Sequence, residues 1–168
     1  MIVLGVDPGT GTTGYGVVSR RGDGAVSLLE CGVVRTRPSE PLAYRLRSIY
    51  EGLGEVLARH AVDVLAVESV FYAKNVRTTV VLGHARGAIL LVGALHGLKV
   101  AEYSPAEIKS AIVGTGRAGK EQVQFMVQQL LRLRTLPRPA DAADAVAVAL
   151  CYCNTGLIED RVRAQAAG

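Results

Sequence analysis

Tryptophan is absent from this chain, phenylalanine occurs twice, and aromatic residues make up only 5% of the 168. The core must therefore be filled by Val, Leu, Ile and Ala, which pack well only between regular, closely approaching elements. Three cysteines, Cys31, Cys151 and Cys153, are too few for a disulfide framework, and the spacing of the last two points their thiols to different faces of a helix. They are expected as small core residues in a reducing compartment. His60, His84 and His96 lack metal-ligand spacing and are expected at helix ends or on the surface. No basic leader precedes the apolar run that begins at Ile2, so no signal peptide is expected. His84, Arg86 and His96 interrupt the most apolar helix, leaving less than the ~20 residues a membrane span needs. The expectation is a cytoplasmic protein with no membrane partner.

What is present is globular: 49% hydrophobic and 20% charged residues exclude a disordered chain. The length fits one domain, expected over residues 1–155, with a short polar tail at 156–168. A net charge of +4 and a pI near 9.1 suit an anionic partner, although a small basic excess also serves solubility. The β-branched run Ile2 to Val6, the turn Asp-Pro-Gly-Thr-Gly and the stretch Gly14 to Arg20 read as a hairpin, with a third strand over Val26 to Thr36. An amphipathic helix follows Pro41, carrying Leu42, Leu46, Ile49, Leu53, Val56 and Leu57. Val62 to Val67 and Lys99 to Tyr103 are short strands, separated by a helix from about Arg77 to His96. Ser104 and Glu107 form a capping box for a helix ending at Gly114. Another helix runs from Lys120 to about Leu133, and a last one follows Pro139. This order predicts an α/β domain with a mixed five-stranded sheet flanked by helices.

Four carboxylates break these apolar runs. Asp7 and Glu68 close strands, and Asp141 with Asp144 opens the alanine-rich last helix, three residues apart and so on one face. Bland explanations exist for each, since Asp favours turns and acids stabilise helix starts. Convergence changes the balance: buried carboxylates need partners, and a hard divalent cation prefers oxygen ligands. Two such ions about 3.5 to 4 Å apart can clamp the attacking and leaving oxygens of a phosphodiester.

Directly after Glu68, the connector Phe71, Tyr72, Ala73, Lys74, Asn75, Val76, Arg77 offers aromatics for base stacking and cations for phosphates. Lys109 and Lys120 flank the glycine loop that contains Arg117, and Arg132, Arg134 and Arg138 follow. Only their clustering argues for phosphate contact. Gly83 and Gly87, beside Ala85, Ala88 and Ala94, place small residues on a helix at a cost of ~1 kcal/mol per glycine. Tight packing on the sheet and close approach of a second subunit both explain that pattern.

The ordered segments VDPGTGTTGYGVV, ESVFYAKNV, LGHARG, IKSAIVGTGRAGKEQV and ADAADAVAVA together resemble Holliday-junction resolvases of the RuvC type over nearly the whole chain. The resemblance implies a ribonuclease H-like fold, a homodimer and metal-dependent cutting of four-way junction DNA in recombination and repair. It places metal-binding acids on Asp7, Glu68, Asp141 and Asp144, with two Mg²⁺ ions per site and Mn²⁺ as an alternative. It places a junction-wedging aromatic on Phe71 and activity-supporting lysines on Lys109 and Lys120, with Lys120 acting at the scissile phosphate. DNA contacts are expected from Phe71, Tyr72, Lys74, Asn75, Arg77, Lys109, Arg117 and Lys120, and the dimer face is expected to include Gly83, Ala85, Gly87 and Leu90. A branch-migration motor complex is an implied partner. Ser69 and Gly119 depart from the residues usual in the family, though neither is an acid ligand. Rival readings are a related nuclease of ribosomal RNA precursors, a sugar-kinase or actin-like ATP-binding domain, and a non-catalytic junction binder. The second needs two such domains, which 168 residues do not hold.

Overall fold

The computed structural model describes residues 1–69 and 76–156. The β-branched opening run forms β1 (Ile2–Asp7), hairpinned to β2 (Thr12–Arg20), which pairs antiparallel with β3 (Val26–Arg35). Parallel strands β4 (Val64–Glu68) and β5 (Lys99–Tyr103) extend the other side, giving the order β3-β2-β1-β4-β5. The expected mixed five-stranded sheet is therefore present. β4 starts two residues later than expected because the Val62 N–H turns back to the His60 carbonyl at 2.9 Å.

Among the described residues, five α-helices cover the sheet: α1 (Leu42–Arg59), α2 (Val76–Leu95), α3 (Pro105–Val113), α4 (Lys120–Leu130) and α5 (Ala140–Cys151). A π-helical turn, Tyr152–Gly156, continues α5. The Ser104–Glu107 capping box opens α3, and Gly114 closes it at φ 86°, a backbone conformation that a Cβ would strain. α4 ends earlier than expected, at Leu130, where the chain turns through Arg132 at φ 51°.

Strand alternation divides the apolar side chains between two cores. Leu4, Val6, Val17, Leu65 and Val67 pack with Ile49, Leu53 and Val56 of α1 and with Ala85, Ile89 and Val92 of α2. On the opposite face, Val3, Val18, Val64 and Ala66 meet α3, α4 and α5. Cys151 and Cys153 are buried there, Cys31 packs at its margin, and all three are free thiols, as their number suggested. His84 and His96 donate Nδ1–H to the carbonyls four residues back, at 2.8 and 2.9 Å. His60 at the end of α1 instead joins Glu30 at 2.7 Å, in a network with Arg59 and Tyr15 that fastens this helix end to β2 and β3.

Two sequence expectations about α2 need correction. Its 20 residues are long and apolar enough, by length and composition alone, to cross a membrane, so the polar interruptions do not shorten it as expected. That is weak evidence of a span, because the Ala85, Ile89 and Val92 side belongs to the core. Ala85 is 0% exposed inside the chain's own fold and therefore cannot form part of a dimer face. Leu90 is half-buried against the same core. Facing outward instead are Val76, Val80, Gly83, Gly87, Leu91 and Leu95, three or four residues apart. A Cβ on Gly83 or Gly87 would meet open space, so packing within the chain does not explain these glycines.

Candidate metal centre

The hairpin and the parallel pairing together set the first two acids. Asp7 ends β1, and Val6 lies beside Val67 in the parallel register, so Glu68 ends the neighbouring strand at the same level. The third and fourth acids arrive on α5, and the sheet beneath that helix is cleared for it. Gly5, Gly14 and Gly16 lie under α5, where added Cβ atoms would overlap Ala145, Asp141 and Val146 respectively. Ala142, Ala145 and Ala149 are likewise fully buried on the helix. Small residues on both surfaces let the backbones approach closely, and Asp141 and Asp144 are thereby delivered to the tip of β1. Carboxylate oxygens of Asp7, Asp141 and Asp144 lie within 4.8 Å of one another.

Glu68 and Asp7 lie side by side at the ends of their strands, and each raises or tempers the other's ionisation. Burial is the largest cause raising Asp7, followed by a side-chain hydrogen bond with Glu68 and by the charges of Glu68, Asp144 and Asp141; together they move it from 3.8 to about 8. Burial likewise raises Glu68, while the bond from Asp7 and the charges of Lys109 and Lys120 oppose the rise. Burial and neighbouring carboxylates thus hold Asp7 and Glu68 toward their neutral forms. The cluster is an oxygen-only donor set of the kind a hard divalent ion neutralises, so the residues fit such an ion.

Lys120, the first residue of α4, donates from Nζ to Asp144 Oδ2 at 2.6 Å. The bond to Asp144 is the main cause raising its pKa, so the side chain stays an ammonium. Beside the acids opens a cleft of about 230 Å³, lined by Glu68, Pro105, Ile108, Lys109, Lys120, Val123 and Asp144. Its lining mixes apolar side chains with charges of both signs. Gly119, one of the two departures from the family pattern, caps α4 by donating its N–H to Gln122 Oε1 at 3.0 Å. The other, Ser69, donates its N–H to the Tyr103 carbonyl at 2.8 Å, extending the β4–β5 pairing past Glu68.

Lys109 and Lys120 meet at this cleft as expected from their sequence positions. Arg117 is exposed in the loop between α3 and α4 and does not line the cleft, and Arg77 is exposed in the first turn of α2. Phe71, Tyr72, Lys74 and Asn75 lie outside the described residues. Two residues the sequence reading passed over hold the turn that follows Asp7. Thr36 Oγ1 donates to the Thr10 carbonyl, its N–H donates to the Gly11 carbonyl at 3.0 Å, and Arg45 Nε supports Thr36 Oγ1 at 3.1 Å. Buried Thr13 ties the Gly9 carbonyl at 2.6 Å. Only the Thr-rich composition of this turn hinted at such bonding. Thr36 and Arg45 are remote in sequence and carry no local signature.

The model of the family "Crossover junction endodeoxyribonuclease RuvC" matches residues 3–152. This chain belongs to that family. Among curated RuvC proteins, that of Pelotomaculum thermopropionicum is 48% identical over 154 residues, 92% of this chain and 93% of the relative. That of Moorella thermoacetica is 49% identical, with 92% of each covered. The Thermus thermophilus RuvC structure superposes with a TM-score of 0.87 at 37% identity, covering 95% of this chain and 97% of that one. The T. thermophilus RuvC structure in complex with a Holliday junction substrate gives 0.89 at the same identity, covering 95% and 96%. The yeast mitochondrial Holliday junction resolvase, 14% identical, shares the fold with a TM-score of 0.67 over 90% of this chain. The ribonuclease H-like architecture expected from the sequence is thereby established, and the chain is a crossover junction endodeoxyribonuclease.

Proposed function

We propose that this enzyme resolves four-way DNA junctions as a homodimer, each subunit hydrolysing one phosphodiester with divalent metal held by Asp7, Glu68, Asp141 and Asp144. The observation that carries the reading is the meeting of Asp7, Asp141 and Asp144, with Glu68 against Asp7, beside a cleft bearing two lysines. A pair of Mg²⁺ ions, or Mn²⁺ in their place, supplies activation of water and stabilisation of the leaving oxygen. Water oxygen bonds to phosphorus, the P–O3′ bond breaks, and the products carry a 5′-phosphate and a 3′-hydroxyl. Lys120 and Lys109 offset charge on the phosphate in the cleft. Phe71 and Tyr72 stack against bases at the branch point, while Lys74, Asn75, Arg77 and Arg117 hold backbone phosphates.

Two identical sites related by a twofold axis match two opposite strands of like polarity, which is why the dimer matters for function. The outward stripe of α2 supports that dimer: its apolar side chains and paired glycines suit close approach of a second helix. Residence in the cytoplasm and cooperation with a branch-migration motor complete the proposal. Cleavage of a four-way junction, a linear duplex and a structured RNA is to be compared with and without Mg²⁺. Symmetric nicking of the junction alone, dependent on metal, is expected; preferential RNA cutting supports the precursor-processing reading, and binding without cutting supports a non-catalytic one.

A further inference from the structure

Lys120 and a divalent ion address the same carboxylate. Asp144 Oδ2 accepts the Lys120 ammonium at 2.6 Å, and an oxygen of Asp144 also belongs to the three-acid group that lies within 4.8 Å. Whichever Asp144 oxygen a divalent ion takes, the ion and the ammonium on the same carboxylate would sit within a few ångströms of each other, where their repulsion is strong. That repulsion favours one cation at a time on Asp144.

Taking the metal assignment above as its basis, we infer that Lys120 is an exchangeable counter-ion of the metal centre: it neutralises Asp144 until a divalent ion takes that carboxylate, and the released ammonium then serves the phosphate in the cleft. Three features of the fold support this. The Lys120 side chain is 58% exposed, so nothing encloses it at Asp144 and its four-carbon stem is free to swing. It stands at the N-terminal residue of α4, fixed from below by the Gly119–Gln122 bond, so the backbone need not move. The cleft into which it would turn is lined by Lys120 itself, Lys109 and Glu68. Among the described residues Lys120 is the cation hydrogen-bonded to this acid cluster, whereas Lys109 acts on Glu68 through charge alone.

The exchange makes Lys120 responsive to the metal. Before metal binds, it limits repulsion among four acids. Afterwards its charge is delivered where the scissile phosphate lies, so a cation is neither left unpaired nor held against the ions.

Calorimetric titration of Mn²⁺ into the full chain without DNA tests the inference, with wild type, Lys120→Met, Lys120→Arg and Lys109→Met compared. Lys120→Met should bind Mn²⁺ about tenfold more tightly than wild type, since a cation in contact with a shared ligand opposes the ion. Lys120→Arg, which keeps the charge, should stay near wild type, and Lys109→Met, which leaves Asp144 paired, should gain clearly less than Lys120→Met. Asp144→Asn added to Lys120→Met should cancel the gain. Thermal melts with and without Mn²⁺ supply a second readout: Lys120→Met should melt lower than wild type without metal and show the larger metal-induced rise. Equal or weaker Mn²⁺ binding by Lys120→Met overturns the exchange while leaving the metal assignment standing. Absence of Mn²⁺ binding by both wild type and Lys120→Met overturns the metal assignment and the exchange with it.

Discussion

Gly14→Ala tests the idea that the metal centre is assembled by close approach of a helix to a glycine-lined sheet. Gly14 pairs with Asp7 across the hairpin and lies under Asp141. A Cβ there would lie 2.6 Å from the Asp141 carbonyl carbon and 3.3 Å from the Ala142 nitrogen, overlapping the Asp141 carbonyl oxygen. Carbon contacts are comfortable at about 3.5 to 4 Å, so α5 and β2 must separate by about 1 Å. α5 cannot yield cheaply, because Ala142, Ala143 and all residues from Ala145 to Cys151 are buried. Overpacking of this kind costs about 1–3 kcal/mol. The same shift moves Asp141 away from Asp7, and a displacement of about 1 Å in a catalytic group can cost about a hundredfold in rate. Urea unfolding followed by far-ultraviolet circular dichroism, which suits a chain without tryptophan, and junction cleavage at saturating Mg²⁺ provide the two readouts. Gly11→Ala is the matched control, since a Cβ there meets nothing within 4 Å. A Gly14→Ala protein with wild-type unfolding midpoint and wild-type cleavage would refute the reasoning.

Further outcomes follow from the same geometry. Asp7→Asn should lower junction cleavage by about a thousandfold or more while junction binding, read by gel shift, persists; loss of binding as the primary defect would count against the metal assignment. Without divalent metal, stability should fall as pH rises from about 4 to about 8, because over that window the native chain retains the protons on Asp7 and Glu68 that the unfolded chain has released. Mg²⁺ should flatten that slope in thermal melts, and a metal-free slope of opposite sign above about pH 5 would contradict it; Glu30, pushed down from 4.5 to about 2 chiefly by its bond from Arg59, opposes it only below about pH 5. Gly87→Arg points a long charged side chain out of the exposed stripe of α2 into open space, so it should convert a dimer to a monomer by light scattering with little change in monomer folding. Thr36→Val removes the hydroxyl that holds the Thr10 carbonyl, and should cost about 1–2 kcal/mol and slow cleavage more than it weakens junction binding; a change in binding alone would assign Thr36 a different role.

Much of the fold was legible because local rules dominate it. β-branched runs ending at turn residues marked the strands, the Ser104–Glu107 box and Gly114 bounded α3, and the small, aromatic-poor core followed from composition. Where the reading failed, long-range contacts had overruled local pattern. Ala85 shares a small-residue segment with Gly83 and Gly87, yet packing of α2 on α1 and the sheet turned it inward and left the glycines outside. The apolar character of α2 all round follows from the same division, with one face in the core and the other exposed. Thr36 and Arg45 were invisible as site-positioning residues because a hydrogen bond between distant segments leaves no periodicity in the sequence.

The chain's sequence alone determined which residues could do the chemistry: four carboxylates at element ends, two lysines around a glycine loop and an aromatic connector, in an order resembling one nuclease family. Side-chain type and local spacing suffice for that. Only the tertiary structure decided that Glu68 lies against Asp7, that Lys120 is lodged on Asp144, and that glycines in β1 and β2 allow α5 to reach the sheet. Those facts depend on distances between segments far apart along the chain, and such distances are set by packing of whole surfaces, not by any residue's neighbours in sequence.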